Sequence, residues 1–257
     1  MAAETHTYEC RCGTTFRHLA GPPPSWGLVD GELLCGDCRA LERFDEAGQP
    51  GEGTPTPIRL SGRDAATSIL LRSGAYLDLA DPDCTVIQDE DIAAGLRQPR
   101  FAAQSEKLLT IAQHSILVAE LVMPVAEDIG GEEGHALAWC ALMHDAHEAF
   151  LHDVTRPLKS LLPDYRKHEQ VFAARFAQAW KIMWTPGRKE MVRRADLKAL
   201  AVEREALFAD RTPWPCLDEI SRVHARLDRV WSADEAEARF LEAMARLSPF
   251  SIERKAA

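Results

Sequence analysis

What the chain lacks narrows its class first. It has no long apolar run: the most apolar uncharged stretch, Leu108 to Ala119, falls well short of the ~20 residues that span a bilayer. The opening MAAETHTYEC has no basic segment followed by an apolar one, so no secretory signal is read there. The expectation is a soluble, cytoplasmic protein with no membrane partner. Positive charge is also in deficit, with 30 Lys and Arg against 40 Asp and Glu and a net charge of −10. Broad electrostatic binding to nucleic acid needs a basic face and is not expected. A small anionic substrate stays compatible, because a metal and a few cations dominate the field of a pocket. Seven cysteines without a signal peptide point to thiols or metal ligands, not to a disulfide framework.

A hydrophobic fraction of 46% over 257 residues is enough for one domain of ordinary size plus a small appendage. Residues 1–44 carry Cys10, Cys12, Cys35 and Cys38 with few aliphatic residues. The linker, residues 45–65, opens with the Gly- and Pro-rich DEAGQPGEGTPTP, a composition that marks a boundary. The main domain is expected over 66–250. It opens with a β-hairpin over 66–80, turned at Ser73-Gly74, with Ile69, Leu71, Tyr76, Leu77 and Leu79 as strand residues.

Helical periodicity dominates from there. A short helix follows Asp89-Glu90-Asp91. Longer ones are predicted over Lys107–Val122, ended by Pro124, and over Gly134–Leu151, Tyr165–Met183, Arg188–Phe208 and Ala233–Leu247. Helix follows helix without internal repeat, so the fold class is mainly α.

Three of these helices carry His114, His144-Asp145 and Asp196. Imidazole nitrogens with carboxylate oxygens suit Mn, Fe, Co, Ni or Zn, and four ligands leave room for water and substrate on a six-coordinate ion. Each residue also has a plain structural reading. A lone histidine on an apolar helix face is usually a core residue, and a His-Asp dipeptide is common by chance. His144 and Asp145, however, follow the apolar run ALAWCALM, and a buried charged pair without a partner is costly. A second pair, His152-Asp153, falls where this helix should end and is the weaker candidate. Glu148, four residues after His144, shares its helix face and is placed for general acid or base work; a surface glutamate is the competing reading. His147 is either a supporting group or a half-buried histidine.

The order H…HD…D resembles the HD-domain phosphohydrolases, and among them a subgroup containing bacterial 5′-deoxynucleotidases and phage-type dATP triphosphohydrolases. The extended stretch HDAHEAFLHDVTRPLK, from His144 to Lys159, carries the likeness. So do Arg100-Phe101, fourteen residues before His114, and the lead-in SGAYLDLADPDCTVIQDEDIAAGL. The resemblance covers roughly residues 66–210. It implies an HD-domain helical bundle with one divalent metal (Mn, Co, Fe, Ni, Zn or Mg) on His114, His144, Asp145 and Asp196. It implies Glu148 and Asp153 as catalytic residues, Arg100 as a phosphate contact and Lys159 as a further cation near phosphate. A nucleotide substrate and homo-oligomers are implied as well. The chain departs from the subgroup in three places: His147 stands where small residues are usual, His152 where Gly is usual, and Ala102-Ala103-Gln104 where Gly-Gly-His often follows Arg-Phe.

The N-terminal Cys10-x-Cys12 and Cys35-x-x-Cys38 form two knuckle-like pairs. Four thiolates would give a closed, structural zinc site in a zinc-ribbon-like module, which so small a core would need in order to fold. His6 and His18 are candidate substitute ligands for that zinc, and four free thiols in a flexible arm are the alternative. Two functions are carried forward. One is a phosphohydrolase cleaving (deoxy)nucleotides at the α-phosphate, either a nucleotidase or a triphosphohydrolase. The other is a catalytically silent nucleotide-sensing adaptor that joins a zinc ribbon to an HD domain.

Overall fold

The computed structural model describes residues 67–220 and 223–249, together with four short N-terminal strands. The chain divides into two compact units, Met1–Arg59 and Leu60–Ala257. In the first, β1 (His6–Glu9) pairs antiparallel with β2 (Thr15–His18), and β3 (Gly27–Val29) with β4 (Glu32–Leu34). Cys10, Cys12, Cys35, Cys38 and the linker of residues 45–65 lie outside the described residues.

The second unit opens with a hairpin in which β5 (Ser68–Leu70) pairs antiparallel with β6 (Tyr76–Asp78), Ile69 facing Leu77. Gly74 turns it with a φ of 89°, a conformation that glycine takes without steric penalty. The hairpin is tied to helix α1 (Asp89–Gly95) by Asp91, whose carboxylate accepts from the Ser73 amide at 2.7 Å and its hydroxyl at 2.9 Å.

Helix α2 (Ile111–Ile129) is the central element, packed against α3 (Gly131–Leu142), α7 (Pro186–Leu207) and α8 (Ala233–Leu247). Every residue from Ile111 to Ala119 is buried, as befits a helix enclosed on all sides. Thr110 caps its start by accepting from the Gln113 amide. The expected stop at Pro124 is not observed: the helix continues to Ile129 with the proline inside it. Pro124 removes one intrahelical donor, and the acceptor it leaves, the Glu120 carbonyl, belongs to an exposed residue. Burial of Val122 and Ala126 on either side offsets the loss.

The single helix expected over Gly134–Leu151 is also corrected. Helix α3 ends at Leu142, residues 143–147 form successive turns, and a short α4 (Glu148–Leu151) follows. Adjacent residues on an α-helix point about 100° apart, so His144 and Asp145 could not both face one point from inside it. The turns, closed by Ala146 to Met143 and Glu148 to Asp145 bonds, let them do so. Helix α5 (Arg156–Leu161), not expected from the sequence, leads into α6 (Pro163–Ala179). Phe150, Phe172, Phe176 and Trp180 pack ring against ring in series at this corner, and each such buried ring contributes about 1.5–3 kcal/mol. Between α7 and α8 the described residues 223–232 are clamped by the buried Gln113: its amide donates to the Arg229 carbonyl and accepts from the Trp231 amide. Among the described residues, no helix is long and apolar enough to cross a membrane.

Candidate metal centre

Helix α2 delivers His114, fully buried; α7 delivers Asp196; the turn after α3 delivers His144 and Asp145. His144 Nδ1 lies 2.8 Å from the Ala141 carbonyl, and His114 Nδ1 2.6 Å from a Glu203 carboxylate oxygen. Both partners accept only, so both Nδ1 atoms are assigned as the N–H donors. The two Nε2 lone pairs are thereby turned toward each other at 3.3 Å. Asp145 Oδ2 lies 3.2 Å from His144 Nε2 and 3.7 Å from His114 Nε2, while Asp196 Oδ1 lies 3.3 Å from His114 Nε2. Facing lone pairs flanked by two carboxylates are satisfied only by a cation between them. A proton serves one pair; a divalent ion serves all four groups. His114, His144 and Asp145 present ligand atoms within 4.8 Å of one another, and Asp196 adjoins them through His114. The donor set fits a divalent transition metal.

The electrostatics point the same way. Burial pushes the His144 imidazole down, but Asp145, Asp196 and the Ala141 carbonyl outweigh it and lift it to about 9. His114 is raised too, Glu203 and Asp196 overcoming burial and the Arg100 charge. Against burial, the His144 and His114 rings and Arg100 hold Asp145 well below the usual carboxylate range. Asp196 is lowered, its bond to His114 outweighing burial.

Glu203 was not singled out in the sequence. It is fully buried on α7, two turns beyond Asp196, and it serves two groups. One oxygen accepts from His114; the other lies 3.4 Å from Arg100 Nε. Arg100 Nη1 is also 3.8 Å from Asp145 Oδ2, so the residue expected to contact phosphate lies beside the four converging groups. The segment holding it is strained: Phe101, Ala102 and Ala103 take φ values of 56°, 51° and 58°, where non-glycine residues pay roughly 1 kcal/mol or more each. The Phe101 ring is pinned edge-on by Phe208 at 5.2 Å and lies 6.2 Å from Trp214.

Glu148 and Lys159 form an adjoining cluster. Lys159 Nζ lies 3.2 Å from Glu148 Oε1 and 2.6 Å from Glu169 Oε1, with His147 Nε2 4.0 Å from the latter oxygen. Burial, reinforced by Asp145 and Asp153, lifts Glu148 to about 9 against the pull of Lys159, and burial lowers His147. The shared helix face expected for His144 and Glu148 is replaced by the turn, which places Glu148 at the head of α4. Lys159 bridges two carboxylates here instead of standing free. Asp153 lies near enough for its charge to act on both Arg100 and Glu148. His152 does not enter the centre; exposed, with φ 66°, it places Nδ1 2.7 Å from the Gln98 side-chain oxygen. The Gln98 amide nitrogen in turn donates to the Gly95 and Glu148 carbonyls, tying α1 to α4. Cys140 is a buried core residue, as expected.

Residues 111–198, which hold all four converging groups, match the HD-domain family. The chain is similar to the uncharacterised protein YfdR of Escherichia coli, 37% identical over 150 residues that cover 56% of this chain and 74% of that protein. It is also similar to an uncharacterised protein of Rhodobacter capsulatus, 41% identical over 93 residues, 35% of this chain and 45% of that one. With the geometry of its histidines and aspartates, the family match and the extent of the YfdR likeness, this chain belongs to the HD-domain family.

Proposed function

We propose that the protein is a metal-dependent phosphohydrolase that cleaves the 5′-phosphoester of a nucleotide at its α-phosphate. The observation that carries this reading is the face-to-face pair of imidazole nitrogens, 3.3 Å apart and flanked by Asp145 and Asp196. A divalent ion on these four groups supplies Lewis-acid polarisation of a phosphoryl oxygen and lowers the pKa of water toward neutrality. The remaining work falls to the chain's own side chains. Arg100, held by Glu203 beside the cluster, offsets negative charge on the phosphoryl oxygens as the transition state forms. Glu148, whose pKa burial lifts well above the usual carboxylate range, holds the proton that the departing 5′-oxygen needs. Asp153 accepts the proton that the attacking water gives up. The bond from water oxygen to phosphorus forms as the bond to the 5′-oxygen breaks. A monophosphate then yields nucleoside and phosphate, and a triphosphate yields nucleoside and triphosphate. Support for a nucleotide substrate comes from the resemblance over His144–Lys159. A structural zinc on Cys10, Cys12, Cys35 and Cys38 is proposed for the N-terminal unit on ligand spacing alone.

The test is incubation of the protein with deoxynucleoside mono- and triphosphates and Co²⁺, Mn²⁺, Zn²⁺ or Mg²⁺, with chromatographic separation of products. Nucleoside release is expected, and Asp145→Ala should abolish it together with metal retention. A folded, metal-loaded sample that turns over no nucleotide would sink the enzyme reading and leave a sensing role.

A further inference from the structure

Beside the metal centre lies a second set of metal-ligating groups that the proposed reaction does not need as a set. His147, Glu148 and Glu169 place one ligand atom each within 4.8 Å of one another. His147 and Glu148 are consecutive at the start of α4, and Glu169 comes from α6, so their meeting reflects the tertiary fold and not one local run of acids. One cation is already among them: the Lys159 ammonium, reaching from α5 to both carboxylates. A bridging ammonium accounts for one oxygen of each glutamate, but not for the whole set. Glu148 is 5% exposed, and its Oε2 is buried with no hydrogen-bond partner among the described residues. His147 Nε2 stands 4.0 Å from Glu169 Oε1, beyond hydrogen-bond distance. A buried carboxyl oxygen without a partner costs about 1–3 kcal/mol whether or not it carries the proton; a bound cation would displace that proton and take the oxygen as a ligand, with the imidazole beside it. Both are what a divalent ion of the Mn, Co or Zn type would use.

We propose that His147, Glu148 and Glu169 form a second divalent-cation site, which Lys159 fills with its own ammonium in the resting protein. The side chain is thus an internal competitor that keeps the neighbouring centre to a single ion. In two-metal phosphatases and nucleases the ions clamp the attacking and leaving oxygens; here a tethered monovalent charge stands in the second position. The proposal rests on the reading above only in placing the first ion on His114, His144, Asp145 and Asp196.

The experiment is Mn²⁺ titration of the full-length protein, with free Mn²⁺ counted by electron paramagnetic resonance. Manganese is chosen because four thiolates, if they form a site, prefer softer metals. The wild-type protein should bind one equivalent tightly, and Lys159→Met should bind one more. Adding His147→Ala to that variant should remove the added equivalent or weaken it about 10- to 100-fold. Adding His114→Ala instead should remove the first equivalent and spare the second. Unchanged stoichiometry in folded Lys159→Met, or in Lys159→Gln where the methionine variant does not fold, overturns the proposal. So does an added equivalent that survives His147→Ala. Loss of the first equivalent from the wild-type protein, with the added one intact in Lys159→Met, counts against the phosphohydrolase reading and supports this one.

Discussion

The buried Glu203 shows how one side chain can fix a site without reaching substrate. It sets the tautomer of His114 and stands beside Arg100, so the proposed metal ligand and the proposed phosphate contact share one carboxylate. Despite burial it is held charged, its pKa lowered by His114 and Arg100. Glu203→Ala should leave a buried imidazole N–H unpaired and the Arg100 guanidinium with Asp145 as its remaining close carboxylate, at about 3–5 kcal/mol. Metal affinity should fall about 10- to 100-fold, the usual loss when an outer partner of a ligating histidine is removed. Glu203→Gln keeps an acceptor for His114 and should lose much less of both. Denaturant unfolding and titration against a competing chelator measure the two effects; an alanine variant indistinguishable from wild type would refute the assignment. The sequence hid this residue. In ALAVEREAL, Glu203 reads as one more surface charge, and only its spacing of seven from Asp196, two turns on one face, hints that it points inward. Glu169 was hidden in the same way, among the alternating charges of α6. The four converging residues were legible because chemistry restricts them to histidine and aspartate; their supporting groups are restricted only by position.

At the scale of elements, the helices were legible and their interruptions were not. Periodicity located α2, α6, α7 and α8 because each buries an apolar face. The break at 143–147 has no glycine or proline to announce it, since what ends α3 is the need to aim two adjacent side chains at one point. Pro124 misled in the opposite sense, since tertiary burial carried the helix through it. The corner that aims Glu148 depends on close approach of α1 and α4: a Cβ on Gly95 would stand 2.4 Å from the Ala149 carbonyl oxygen. Gly95→Ala should therefore force the two apart and cost about 1–3 kcal/mol, with a fall in turnover exceeding what the lost stability explains. A thermal melt beside a kcat measurement tests both, and an unchanged melt would show that the corner yields. His152 offers the reverse case. Its φ of 66° suits glycine, so His152→Gly should raise stability by up to about 1 kcal/mol through relief of backbone strain, reduced by the added freedom of the unfolded chain and by loss of the exposed Gln98 contact. A lowered Tm would mean that the Gln98 contact and the entropy of the added glycine together outweigh the strain.

At the scale of the whole molecule, the metal centre makes folding stability depend on pH in a way that metal should reverse. Without metal, a proton stands between the facing imidazoles. His144 is raised from its ordinary 6.5 to about 9, so its contribution to stability is fully present below 6.5 and is lost as pH rises through about 9. A shift of that size corresponds to about 3 kcal/mol. Glu148, raised from 4.5 to about 9 by burial, acts in the same direction over a wider range, since the unfolded chain releases its proton first. Asp145 opposes both at the acid end: lowered below 3.8, its contribution disappears only as pH falls through its folded value. The chelator-treated protein should therefore be most stable between these limits, on the acid side of neutrality, and weaken steadily toward pH 9. Metal binding displaces the imidazole proton, so apparent affinity should rise about tenfold per pH unit up to about 9, and saturating metal should restore stability on the alkaline side. Denaturant titrations with and without chelator at several pH values, repeated on His144→Gln, separate the terms. The variant should lose the His144 part of the alkaline decline and keep the part due to Glu148. An apo protein whose stability rises from pH 6.5 to 9 would place the proton elsewhere, and with it the centre.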